Sequence, residues 1–255
     1  MSGTGVVAGL VGPPGIGKSR LARESAESAR GHGLEVFSTY CEPHTREITA
    51  GNLVLALKQA GRDDEAMIAA SGLVNAAEAT RNPFALSLAV FCEGYVFSEA
   101  EPDRALRALR RGLTIAQESS SRYNITILAA ALSRLESEYG DPLAAFEYST
   151  LAIRTYHDSG NALFLRAALA ILATHFNRLT RYEPAATIAG FATSPLTIAG
   201  LPELSTAIAH LREVLGETTY ESLARKGETM TAAAMATYAY NEIDQARAEL
   251  NAAAK

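Results

Sequence analysis

"AEPDRAL", residues 100–106, is one of four short stretches that decide how most of this chain folds. Its companions are "GRDDEAM" at 61–67, "YGDPLAA" at 139–145 and "RYEPAAT" at 181–187. Each reads as a turn, an acidic residue, often a proline, and then a small residue opening a helix. Ala66, Ala105, Ala144 and Ala185 align at separations of 39, 39 and 41. A period near 40 with two amphipathic helices per unit marks a helical solenoid, in which each unit buries its apolar stripe only against its neighbours. Pro102, Pro142 and Pro184 fall in first turns, where the missing N–H has no intrahelical partner to lose.

Outward from these turns the spacing predicts helices over 52–60, 63–79, 83–98, 102–119, 123–138, 142–158, 161–178, 182–192, 202–215, 217–226 and 231–251. "NPFALSLAVFCEGYVF" (82–97) shows the reasoning: an Asn cap, Pro83 in the first turn, and apolar residues at 84, 88, 91, 92 and 95. The last helix places Met235, Ala239, Ile243, Ala246 and Leu250 on one side, as a cap closing the stack.

The N-terminal stretch reads differently. "VVAGLV" (6–11) suits a strand buried on both faces. Gly12-Pro13-Pro14-Gly15-Ile16-Gly17-Lys18-Ser19 then fits G-x-x-x-x-G-K-[ST] at every fixed position. Gly12, Gly15 and Gly17 permit backbone angles that residues with a Cβ resist, so that consecutive N–H groups face inward as an anion nest. Lys18 would reach the β- and γ-phosphates, and Ser19 offers a hydroxyl to Mg²⁺. The nucleotide-binding set is Gly12 to Ser19 with Arg20, and the expected cofactor is ATP or ADP with Mg²⁺. A helix over 18–31 aims its positive end at the phosphates. "LEVFSTYC" (34–41) reads as a second strand.

What a P-loop ATPase needs next does not follow. Its Mg²⁺ and attacking water are held by an acid delivered on an apolar strand. The nearest mimic, "LAVFCE" (88–93), has Cys92 in the acid's place and lies inside a predicted helix, which makes Glu93 a helix-surface or groove residue. Two strands are also few for an independent sheet. The expectation is therefore a mostly α chain: a short N-terminal β-α-β P-loop fragment over 1–48 and a helical solenoid over 52–255, which the resemblance given below makes tetratricopeptide-like.

Composition limits the remaining options. The 255 residues are 48% hydrophobic and 20% charged, with a net charge of −5, so no global field favours nucleic acid or an anionic membrane. Cys41 and Cys92 lie far apart without a partner motif, which suits reduced thiols in a cytoplasmic protein. No export signal or membrane-length apolar run is read. Arg104, Arg107 and Arg111 share one helix face, which could bind an acidic partner; the plainer reading is a solvated face opposite Leu106, Leu109 and Leu113. Histidines 32, 44, 157, 175 and 210 show no i,i+4 pairing with acids, so no metal site is expected from them. Tyr139, Tyr148, Tyr156, Tyr182, Tyr220, Tyr238 and Tyr240 read as repeat-packing aromatics. No catalytic triad can be argued from spacing.

"GLVGPPGIGKSRLARE" followed by "GLEVFSTYCEPH" resembles the start of the ATPase module in bacterial signal-transduction ATPases with numerous domains, in which an AAA-like ATPase precedes a tetratricopeptide-like region. "LREVLGETTYESLARKGETMTAAAMATYAYNEIDQARAEL" is similar to the end of that region. The resemblance implies a nucleotide-binding role for Gly12, Gly15, Gly17, Lys18 and Ser19. The acid-bearing strand, sensor residues and winged-helix part have no counterpart, as though the middle had been removed and the ends joined near 48–51. On this reading neither a cyclase ahead of the loop nor a helix-turn-helix behind residue 255 is expected. Three functional readings follow. The first is an ATP-binding regulatory remnant, with little or no hydrolysis, joined to a protein-interaction scaffold. The second is a scaffold alone with a vestigial loop. The third is an ATPase completed in trans within a transcriptional regulator. In each the helical repeats bind a protein or peptide partner.

Overall fold

The computed structural model describes residues 45–253, together with Glu24 and Ser28. Chain contacts divide the molecule into Met1–Pro43 and His44–Lys255, and the helices numbered below belong to the second unit. The strands expected at 6–11 and 34–41 lie outside the described residues. Glu24 and Ser28, inside the helix expected over 18–31, are both helical and exposed.

All regular structure in the described residues is α-helix, in twelve segments. They are α1 (Thr45–Gln59), α2 (Asp63–Thr80), α3 (Pro83–Phe97), α4 (Pro102–Glu118), α5 (Arg122–Tyr139), α6 (Pro142–Asp158) and α7 (Ala162–Arg178). Then follow α8 (Tyr182–Ala192), α9 (Pro195–Gly200), α10 (Pro202–Leu215), α11 (Glu217–Glu228) and α12 (Ala232–Ala253). Ten of the predicted helices match within three residues. The first begins at Thr45 rather than 52, because packing rather than local preference holds its opening turns: Gly51 is buried and seated against Cys92 and Leu88 of α3. The six-residue α9 was not foreseen; the Ser194–Thr197 capping box holds it.

Local chemistry sets the boundaries. The Asn82 side chain accepts from the N–H groups of Phe84 and Ala85, Asp141 from Leu143, and Asn161 from Phe164. The turns recur as well. Arg62 N–H donates to the Leu57 carbonyl, Ser121 to Ala116, Asn161 to Tyr156 and Arg181 to Phe176. Each closes around a left-handed residue, respectively Gly61, Ser120, Gly160 and Thr180, which is the Schellman ending. The chain therefore reverses in the same way at each of these turns, and successive helices pack side by side.

The helices form two layers. α1, α3, α5 and α7 touch in series, and α10 continues the row beside α7. The intervening helices pack behind them, each against its sequence neighbours. The small residue three places into each rear helix lies at the contact: Ala66, Ala105, Ala145 and Ala185 are all 0% exposed. This corrects the sequence alignment by one residue. Ala144 is only half-buried, and Ala145 is the true counterpart of Ala105, because Pro142 and Pro102 both occupy the first helical position. Separations become 39, 40 and 40.

The regular pattern stops after α8. That helix packs closely on α11, with Gly190 and Gly227 at the crossing. α12 buries Met235, Ala239, Ile243 and Ala246, the face foreseen, but it does not close the end of the stack. It runs back against α6 and α8, tied by Arg181 to Glu242 and Glu249 at 3.2 and 2.6 Å and by Arg247 to Glu147 at 3.2 Å. The core beneath is apolar, with Phe146, Ile153, Leu169, Phe176 and Leu211 fully buried; each such side chain contributes about 1.5–3 kcal/mol.

Candidate functional site

The phosphate-loop residues Gly12 to Arg20 lie outside the described residues. Among the described residues of the helical unit, the front layer carries a continuous feature suited to recognition: a trough running along its helices.

Its walls come from ordinary helical periodicity. α3 presents Phe84, Leu88, Phe91 and Tyr95, one residue per turn on a single stripe. α5 presents Tyr123, Ile127, Ala130, Ala131 and Arg134, and α7 presents Phe164, Ala167, Ala168 and Ile171. On α5 and α7 large side chains stand at the ends of the stripe and alanines in the middle, so the floor between them is hollow. The upper part holds about 570 Å³ between α1, α3, α5 and α7. A narrower middle of about 190 Å³ shares Phe91, Ile127 and Phe164 with it. A polar lower end of about 870 Å³ shares Tyr95, Ser98, Arg134 and Gly200 with the middle. Shared lining makes these a single trough. α9 and the start of α10 wall its lower end through Leu196, Gly200 and Pro202.

Stacking and hydrogen bonds fix the upper rim. The Phe84 and Tyr123 rings stack at 6.4 Å, and Tyr156 stacks on Phe164 at 5.5 Å. Beneath them the buried Asn124 donates through Nδ2 to the Phe84 carbonyl at 2.9 Å and to Ser87 Oγ at 2.6 Å, tying the start of α5 to that of α3. Tyr123 and Phe164 nevertheless remain 59% and 43% exposed. Exposed rings held in place have little rotamer freedom left to lose on contact with a partner.

The lower end is a collar of opposed charges. Lys58 Nζ lies 3.1 Å from Asp63 Oδ1 and 3.4 Å from Glu99 Oε2. Arg134 reaches Glu203 at 3.4 Å, and Arg178 reaches Glu138 at 3.5 Å. Burial pulls the Lys58 ammonium down, but Asp63 and Glu99 together hold it above its ordinary pKa.

Other candidates from the sequence resolve into structure. On α4, Arg104 pairs with Glu93 at 2.7 Å and stacks over Phe97, and Arg111 pairs with Glu78 at 2.8 Å, while Arg107 between them is exposed; Arg110 pairs with Glu136 at 2.6 Å. The solvated-face reading holds for that helix, with Leu106, Leu109 and Leu113 buried opposite. "LAVFCE" is helical, and Glu93 is spent on Arg104. Among the tyrosines, Tyr156 and Tyr220 are buried, whereas Tyr139 is 45% exposed at a helix end. His175 is buried against Phe146, ring centroids 4.4 Å apart, with neither ring nitrogen in hydrogen-bond geometry with a partner. Burial lowers its pKa to about 4, with a weaker upward pull from the Pro142 carbonyl and a further lowering from Arg178. Among the described residues, no three His, Cys, Asp or Glu side chains converge to hold a metal ion, and no helix is long and apolar enough to cross a membrane.

Tyr123, Phe164 and Arg134 were not singled out in the sequence. A signal was there: Phe84, Tyr123 and Phe164 recur at separations of 39 and 41, each at the second or third residue of a front-layer helix.

No protein family, curated protein or solved structure matches this chain. The assignment of function therefore rests on the trough and on the sequence.

Proposed function

We propose that this protein is a tetratricopeptide-like helical solenoid that binds a segment of a partner protein along its front layer, joined to an N-terminal β-α-β unit that holds a nucleotide. The apolar trough carries the first half of the proposal. It combines preset aromatic edges, a floor of small side chains and about 22 Å of length, the rise of α5 from Tyr123 to Glu138. Grooves of this kind recognise peptides by inserting their apolar side chains. The sequence Gly12 to Ser19 carries the second half: a backbone nest, Lys18 for the phosphates and Ser19 for Mg²⁺. With no acid-bearing strand read in the sequence, hydrolysis is slow or absent, and the role is regulatory. On this reading the protein is a cytoplasmic signalling component in which nucleotide state bears on partner binding.

Thermal melting with and without Mg-ATP tests the nucleotide half, since a ligand of the native state raises the melting temperature. The expected result is a rise for the wild-type chain and none for Lys18→Ala. Equal responses from both would leave a scaffold with a vestigial loop. Phosphate release that climbs steeply with protein concentration would instead point to an ATPase completed between copies.

A further inference from the structure

We infer, resting on the scaffold reading above, that the partner segment is apolar along most of its length and carries lysine or arginine where it meets the lower end of the trough. The upper and middle parts offer it Leu55, Phe84, Leu88, Phe91, Ile127 and Ile171, with little polar surface. The collar is different, and its charges differ in exposure most at Lys58, which is 14% exposed against 54% for Asp63 and 67% for Glu99. The other two pairs are nearly even, Arg134 at 21% with Glu203 at 26% and Arg178 at 34% with Glu138 at 37%. At the Lys58 cluster the more accessible charge is carboxylate.

Two further features act in the same direction. Asp63, Glu99, Glu138 and Glu203 outnumber Lys58, Arg134 and Arg178 around the collar. The chain as a whole is at −5, which favours approach of a cationic segment from a distance. The carboxylates are already held by the buried cations, so they need little reordering to accept a new donor. A segment with acidic residues there would meet repulsion from Asp63 and Glu99. Because Tyr95 and Arg134 line both the middle and the lower end, one continuous segment passes from the apolar environment to the acidic one. Over the trough's length it spans about seven extended or fifteen helical residues.

The test uses a phage-displayed library of random 12-residue peptides, selected on the full-length chain, with the strongest binder then synthesised for fluorescence anisotropy. Enriched peptides should combine several Leu, Ile, Phe or Trp with Lys or Arg at one end. Replacing those basic residues by Glu should weaken binding at least tenfold, and so should Glu99→Gln with Glu138→Gln in the protein. Ala167→Phe, which fills the trough floor, should abolish it, with circular dichroism confirming that both variants are folded. Peptides that are acidic or indifferent to the Gln variants, yet lost in Ala167→Phe, would overturn this inference and leave the scaffold reading standing. No enrichment, or binding untouched by Ala167→Phe, would overturn both. A dimer in sedimentation equilibrium that Ala167→Phe dissociates would assign the trough to a second copy and overturn the choice of a foreign partner.

Discussion

Two regions of this molecule are built from small residues and end up with opposite properties. Along the trough, Ala130, Ala131, Ala167 and Ala168 leave space between neighbouring helices. At the α8–α11 crossing, Gly190 and Gly227 leave none. A Cβ on Gly227 would sit 1.8 Å from the Thr187 carbonyl oxygen, and one on Gly190 would sit 2.1 Å from the Ala224 oxygen. The difference lies in what surrounds the small residues. Trough alanines are flanked on their own helices by Tyr123, Ile127, Phe164 and Ile171, whose bulk props the front layer open. The crossing glycines meet the backbone of Ala224, Thr187 and Phe191 directly, so the helices settle into contact. A small residue thus permits close approach, and its larger neighbours decide whether approach occurs.

The sharpest way to break this comparison is Gly227→Ala. In an open helix such a change gains about 1 kcal/mol from backbone entropy. Here the obstruction is backbone, which cannot swing aside, and overpacking should reverse the sign to a loss of about 3 kcal/mol or more. Urea denaturation of the purified variant measures it, and a variant as stable as wild type would show that the crossing is looser than its geometry.

The next effect concerns the core shared by the two regions. His175 has a folded pKa of about 4 against an ordinary value near 6.5. Above pH 6.5 neither state is protonated and stability is unaffected. Between 6.5 and 4 the unfolded chain binds a proton that the folded chain refuses, so stability falls as pH falls, and it levels off below 4. The total loss is about 3 kcal/mol. His175→Leu should flatten that part of the stability–pH curve, and an unchanged slope would assign the acid sensitivity to other groups.

The smallest effect is the control for the first. Gly72 is exposed in α2, with nothing within 4 Å of its missing Cβ. Gly72→Ala should stabilise by about 0.5–1 kcal/mol in the same denaturation assay. A loss there would mean that the exposed middle of α2 is constrained by more than its geometry explains.

Much of the helical unit was readable before any coordinates. Asn82 with Pro83, and Asp141 with Pro142, announce their helix starts chemically, but of the apolar residues read at 84, 88, 91, 92 and 95 of α3 only Leu88 and Cys92 are buried, because the helix is packed on most of its faces and also buries Ala85, Ala89, Val90 and Val96. The errors have physical causes. The opening of α1 contains Thr45, Ile48, Thr49 and Gly51, all weak helix formers, and tertiary packing decides it. α9 is too short to display a period. The Ala144 slip arose because two adjacent alanines look alike until burial separates them. Trough residues were harder still, because Phe84, Tyr123 and Phe164 become neighbours only through the stacking of successive repeats. Charge depth at the collar has no sequence signal at all: Glu99 and Lys58 are 41 residues apart, and only their positions in space show which one faces outward.

Cys92 has a use beyond its packing. Its sulfur lies 3.9 Å from the Gly51 carbonyl oxygen beneath α1, and burial pushes the thiol up to about 12. At neutral pH it is inert toward alkylating reagents while α1 stays seated, since only the thiolate attacks. With Cys41 replaced by serine, the labelling rate of this one sulfur becomes a stopwatch for how often the first helix lifts away from its neighbours.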